Sequence, residues 1–354
     1  YSLPFAPLLT SLRAQCDNID RSEKMELLLL EGDVLEVRGE WDQAITRFEE
    51  IIGLSDPQTD RRLLAEVNRR LGAIYLRRSV FDKAEEYLKR SLGLAEDVKD
   101  PHALVETYYD LGGVLQNRGR HQDAMVAFRR SMELAQSAMD DIGLGLALYG
   151  IGRVYSSLID HHQAIKYKKE ALEVIERTGD VDNIAKICIG LGTSLAEVHN
   201  YSEAVKYHER AAEMGRTSGN LELQGYALRN AVVVYVEIDM LEQAQEHINQ
   251  ASKIFEKLGN NVLLADLHLM RGYIFNKRME WEWAKAEFTD ALETIRRQDA
   301  PLLLGRWLYE IAQQFIKNGD KEGASGLLQE ALQLTTHGSA ENLKKEVEQA
   351  LASL

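Results

Sequence analysis

Apolar and small residues recur along this chain on two scales, the 3.6-residue spacing of an amphipathic helix and a longer period of forty residues. Positions 32, 72, 112, 152, 192, 232, 272 and 312 read Gly, Gly, Gly, Gly, Gly, Val, Gly and Ala. Twelve residues later the series Ala44, Ala84, Ala124, Ala164, Ala204, Ala244, Ala284 and Ala324 is unbroken. Seven further on stand Ile51, Ser91, Ser131, Ala171, Ala211, Ala251, Ala291 and Ala331. Large residues take the complementary places: Leu35, Tyr75, Leu115, Tyr155, Leu195, Tyr235, Phe275 and Phe315 follow the first small line by three residues, which puts them on the same helix face. Two small-residue lines in fixed register predict two helices per period, A and B, packed closely against each other.

Helix boundaries follow from capping chemistry. Asp20, Asp60, Asp100, Asp140, Asp180, Asn220 and Asn260 precede each apolar A stretch, where a short acceptor satisfies orphan N–H groups. Pro101 and Pro301 fall at the first helical position, where proline's missing donor is not needed. Gly179, Gly219 and Gly259 stand where a left-handed residue ends the preceding helix.

The small residue in helix A, the aromatic or Leu three later, the alanine twelve later and the small residue seven beyond resemble the tetratricopeptide-repeat family over about residues 20 to 336. The departure is length: the usual repeat has about 34 residues. Six extra residues shared by two helices lengthen each by about 4 to 5 Å. In this the chain is similar to the arrays of spindle-orientation and polarity adaptors, and to the sensor arrays of signal-transduction NTPases. The resemblance implies an all-α, right-handed superhelical solenoid of eight helix-turn-helix repeats with flanking terminal helices. It divides the chain into an N-terminal segment 1–19, one continuous array 20–338, and a C-terminal capping helix 339–354 with Leu343, Val347, Leu351 and Leu354 turned inward. The start at Tyr1, without methionine, suggests a piece excised from a longer polypeptide with a covalently linked domain missing.

The chain has 354 residues, 45% of them hydrophobic, and a net charge of −14. That charge opposes direct nucleic-acid binding and attraction to anionic membranes, and no apolar run is long enough to span a bilayer. Two cysteines, Cys16 and Cys188, fall in different helices and form no disulfide framework, which points to a reducing, cytoplasmic setting.

Catalytic patterns were sought in vain. The nine histidines show no zinc spacing, and Gly143 and Gly145 fall inside a helix with no strand before them, so no phosphate-cradling loop is expected. The chain reads as no enzyme, with no cofactor and no metal. Lys168 and His208 stand where other repeats place Phe48, Phe128 and Phe288; they are expected to snorkel or to find a polar partner.

Function then rests on surfaces. In the family the A helices line a concave face, and by register its partner-binding positions map onto Arg69, Arg77, Tyr109, Gln116, Asn117, Tyr149, Arg153, Ser156 and Arg229. Cationic forks, amides and aromatics suit a protein or peptide partner with acidic groups and apolar anchors. Ile189, Val233, Val236 and Leu269 suggest either an apolar continuation of the groove or a segment that covers it. A chaperone-tail clamp is excluded, because Arg69 with Ala73, Tyr109 with Gly113 and Tyr149 with Arg153 replace the Lys and Asn that it needs. Two readings stay open: a non-enzymatic scaffold that holds a peptide or helical segment along its groove, and a ligand- or protein-sensing module of a larger NTPase or transcription regulator.

Overall fold

The computed structural model describes residues 20–298, 300–335 and 341–354, and every regular element among them is an α-helix. The expected N-terminal segment and Cys16 lie outside the described residues, as does the connection 336–340. The helices are α1 (Arg21–Val37), α2 (Trp41–Leu54), α3 (Arg61–Arg77), α4 (Phe81–Val98), α5 (Pro101–Asn117), α6 (His121–Ala138), α7 (Asp141–Ser157), α8 (His161–Glu176), α9 (Val181–Glu197), α10 (Tyr201–Ser218), α11 (Leu221–Glu237), α12 (Leu241–Leu258), α13 (Asn261–Lys277), α14 (Trp281–Arg296), α15 (Pro301–Lys317), α16 (Lys321–Thr335) and α17 (Glu341–Ala352). Odd numbers up to α15 are A helices and even numbers are B helices; α17 follows the last pair and buries Leu343, Val347 and Ala350. The chain divides after Val198 into two compact units, α1–α9 and α10–α17.

Within each unit an A helix packs on its B helix through the glycine line. A Cβ on Gly32 would lie 2.4 Å from the Phe48 ring, one on Gly72 2.6 Å from Leu88, one on Gly112 2.7 Å from Phe128, and one on Gly272 2.4 Å from Phe288. No carbon fits at those distances, so the large B residue sits directly on A backbone. The eight alanines from Ala44 to Ala324 and the line from Ile51 to Ala331 are wholly buried beside this contact. Where that second line carries a hydroxyl it is satisfied: Ser91 donates to the Ala65 carbonyl and Ser131 to that of Val105, both at 2.8 Å.

The caps form as their chemistry requires at six of seven positions. Asp20, Asp100, Asp140, Asp180, Asn220 and Asn260 accept from the backbone N–H three residues on. Asp60 does not cap α3. Its carboxylate turns to the Asp56 N–H (2.7 Å) across the Pro57 loop and pairs with Arg21.

Each A-to-B turn closes by one device that the sequence hides. The residue at 39, 79, 119, 159, 199, 239, 279 and 319 is left-handed, with φ between 58° and 80°, though only three of the eight are glycine. This lets the next N–H reach back to the carbonyl of the large A residue, as in Val80 to Tyr75 (2.9 Å) and Asp160 to Tyr155 (3.0 Å). Ile159, β-branched and at φ 62°, stands in a region such residues avoid.

The glycine contact yields a paired test. Gly112→Ala should destabilise the protein by about 1–3 kcal/mol, because the methyl must displace a buried ring. Gly93→Ala, where a Cβ meets nothing within 4 Å on exposed α4, should instead stabilise by about 0.5–1 kcal/mol. Thermal melting of the two variants should therefore move in opposite directions.

Candidate functional site

In the first unit, successive A helices touch one another, α3 with α5, α5 with α7 and α7 with α9, whereas the B helices are held farther apart. The A layer is thus the tightly curved side of this unit. Lys186 on α9 shows how tight: its ammonium reaches over α7 to donate to the Tyr109 hydroxyl on α5, 3.3 Å away. The register that places partner-binding residues on A helices therefore selects this inner face.

Eight of the nine expected residues lie in this unit and Arg229 in the other. Most of the arginines are already engaged. Arg69 contacts Glu66 (3.0 Å), Glu106 (3.3 Å) and Asp110 (3.3 Å); burial works against its charge, but the three carboxylates prevail and hold it protonated above its ordinary range. Arg77 pairs with Glu36 at 2.6 Å and covers the Trp41 ring. In the second unit Arg229 grips both oxygens of Asp266, at 2.6 and 3.0 Å. These three join neighbouring A helices. Arg153 differs: among the described residues no carboxylate or other acceptor reaches its guanidinium.

The amides are partly spent as well. Gln116 donates to Ser157 Oγ (3.0 Å) while its buried Oε1 stays without a partner, and Asn117 donates to the Gly113 carbonyl (2.9 Å). Tyr109 leans on Phe128, centroids 5.7 Å apart. Tyr149 is only 7% exposed, tucked against Gly190, where a Cβ would come within 2.6 Å of its hydroxyl oxygen.

Beside Tyr149 the helix contact opens. At this level the B residue is Lys168, not Phe, and a pocket of about 540 Å³ lies between α7, α8 and α9, lined by Tyr149, Ser156, Ile159, Lys168, Gly190 and Ser194 among others. Lys168 does not snorkel. It is 4% exposed, and its ammonium donates to Ser156 Oγ (2.9 Å), Ser194 Oγ (2.7 Å) and the Gly190 carbonyl (3.1 Å). Three neutral acceptors satisfy its donors without cancelling its charge. Burial, and then the nearby Arg153, push it down from 10.5 to about 8.

Of the apolar continuation expected in later repeats, Ile189 lines this pocket and Val233 is half-buried, while the other two residues are closed off. Leu269 is 1% exposed and Val236 6%, covered by packing within the second unit. The trio His268, Glu287 and Asp290 there has metal-ligand chemistry, but Glu287 already accepts from His268 (2.7 Å) and Arg271 (3.4 Å).

Family models described as tetratricopeptide repeat match residues 69–101 and 103–177. The chain carries tetratricopeptide repeats. None of the curated proteins matches it in sequence. Among solved structures it is similar to a Rap protein complexed with competence and sporulation factor, 13% identical over 95% of this chain and 91% of that one, TM-score 0.69. Aspartyl phosphate phosphatase F from Bacillus subtilis is 15% identical over 93% and 88%, TM-score 0.63. A signal-transduction ATPase with a tetratricopeptide-repeat sensor from Pyrococcus horikoshii is 19% identical over 77% of this chain and 42% of that one, TM-score 0.59. At these identities the likeness is one of fold.

Sequence reasoning passed over Lys186 and Ser194, which the tetratricopeptide stacking brings to the same place. Lys186 lies on the α9 face of Ile189, one of the inward positions, and a helical-wheel reading from that residue would have found it, whereas Ser194 stands one turn after Gly190 on a different face.

Lys168 and His208 occupy the same register in different units and give a pH test. His208 is 1% exposed and its Nδ1 has no partner; burial, and then Arg229, push it from 6.5 to about 4. In both cases the folded state holds fewer protons than the unfolded chain between the two values. Stability should therefore rise with pH from about 4 to 6.5 and again from about 8 to 10.5. His208→Phe should flatten the first rise and Lys168→Met the second, each read as melting temperature against pH.

Proposed function

We propose that the protein is a non-catalytic interaction module that holds an extended peptide or a helical segment of a partner on the inner face of its A helices. The carrying observation is the juxtaposition on α5 and α7 of the half-buried Tyr109 ring and the edge of buried Tyr149 with a guanidinium, Arg153, that no carboxylate neutralises. A face built only to hold the repeats together would pair that charge, as Arg69 and Arg77 are paired. Rings offer area at low entropic cost, while an unpaired Arg and the amides of Gln116 and Asn117 offer orientation. A partner with an acidic group and apolar anchors fits this mixture. A fold neighbour solved as a complex with competence and sporulation factor is consistent with ligand capture by such repeats.

A second reading, a sensor module of a larger regulator, uses the same face. Its support is the fold likeness to a tetratricopeptide-repeat sensor that forms part of a longer ATPase. The two differ in what lies beyond the bound partner, not in how it is held.

Selection of a displayed random-peptide library on the purified chain tests the binding reading. Enriched peptides should bind with losses of about tenfold in Arg153→Ala, the equivalent of about 1.4 kcal/mol, and with a shallower dependence on salt. No enrichment, or enriched peptides indifferent to Arg153→Ala and to Tyr109→Ala, would set the inner face aside.

A further inference from the structure

The pocket between α7, α8 and α9 breaks the rule by which this protein handles cations. Most other arginines described in the first unit meet carboxylates, as Arg47 meets Glu31 (2.9 Å), Arg70 meets Glu66 (2.6 Å) and Arg118 meets Glu85 (2.9 Å). Here Arg153, Lys168 and Lys186 gather, and among the described residues none has a carboxylate within ion-pair distance. Lys186 meets the hydroxyl and ring of Tyr109, with the Asp110 carboxylate close enough to interact with its charge, and Lys168 meets two serines and a carbonyl. Glu197 stands on the pocket wall yet reaches none of the three. Like charges held together in a chain of net charge −14 oppose folding unless something answers them.

The surroundings are those of a receptor. Arg153 lies on the α7 face between Tyr149 and Ser156, both of which line the pocket, and its charge bears on Tyr149 and on Lys168. Lys186, one turn before Ile189 and Gly190 on α9, is directed over α7 to Tyr109. Ser156 and Ser194 accept from the buried lysine; Ser156 passes its own O–H to the Gly152 carbonyl (3.2 Å) and lies 3.2 Å from Ser194, whose hydroxyl faces the pocket. His161, also on the wall, keeps a buried Nδ1 with no partner. A volume of about 540 Å³ exceeds a bare ion, and Tyr149, Ile159 and Ile189 give part of the lining an apolar character.

We propose that this pocket is an oxyanion site, in which Arg153 and the Lys168–Ser194 floor receive one carboxylate or phosphate group carried on a small apolar body. The source of that group rests on the function proposed above: on that reading it is the acidic group of the peptide laid along the A helices. The site itself does not need that reading, since a free organic acid would present the same chemistry.

The test separates the two. Melting temperature is measured for the whole chain in inorganic phosphate against chloride at equal ionic strength, for wild type, Arg153→Gln and Lys168→Met. Phosphate should raise the wild-type value by about 2–4 °C more than that of either variant, general salt effects cancelling in the difference. Arg153→Gln changes a residue on α7 and guards against a folding defect in Lys168→Met. Equal shifts in all three proteins overturn the site. If the peptide selection fails while the phosphate difference persists, the site stands and its ligand is a free anion. If selected peptides bind but phosphate neither shifts the wild type selectively nor competes with them, the anion site is overturned and peptide binding stands.

Discussion

Direct contact between A-helix backbone at a glycine and one large side chain of the paired B helix, made in four of the repeats, is the interaction on which the packing of each unit depends. Phe48, Leu88, Phe128 and Phe288 lie where a methyl on the facing glycine would overlap them, so helix spacing is set by the absence of a side chain. Wholly buried alanines flank the contact and let the helices run close along their length. Interiors packed at such density tolerate little change of volume, which is why one register persists through successive repeats. The left-handed turn residues then close each pair at constant length.

At Gly152 the facing residue is Lys168, and the consequences are both structural and functional. The lysine stem fills the slot, its Cγ lying 2.8 Å from where a Cβ on Gly152 would be, but its charge must be accommodated. Ser156 and Ser194 accept from it, and the Gly190 carbonyl completes the set. Packing that a phenyl ring would complete becomes a polar floor with a pocket above it. Replacing a buried charge by an apolar group is often stabilising. On the proposal above, Lys168 is the residue that links the break in packing to binding.

The helices, their caps and their close faces were legible in the sequence because those relations lie within one forty-residue period. Small against large at Gly112 and Phe128, or Asp140 before Gly143, needs no knowledge of the neighbouring repeat. What sequence could not show depends on the stacking of repeats. The carboxylates that engage Arg69, Arg77 and Arg229 lie 41, 41 and 37 residues away, so three residues read as open cations are ties between A helices. Arg153, one turn on from the line of Arg69 and Arg229, has the same residue type, and only the structure separates it from them. Asp60 matched the cap series, yet the Pro57 loop redirected its carboxylate. Ser79, Ile159, Asp239 and Met279 carry no mark of a left-handed turn, because the fold imposes that conformation on them.

The claim that Lys168 and Arg153 form a receptor for an anion is tested most directly by a crystal structure grown in sodium selenate, with anomalous scattering to locate selenium. The account predicts one ordered selenate in the pocket within hydrogen-bond reach of Arg153 and of Ser194 or Lys168, and its loss in Arg153→Gln crystals. Selenate ordered only elsewhere on the surface, with the pocket holding water alone, would contradict it.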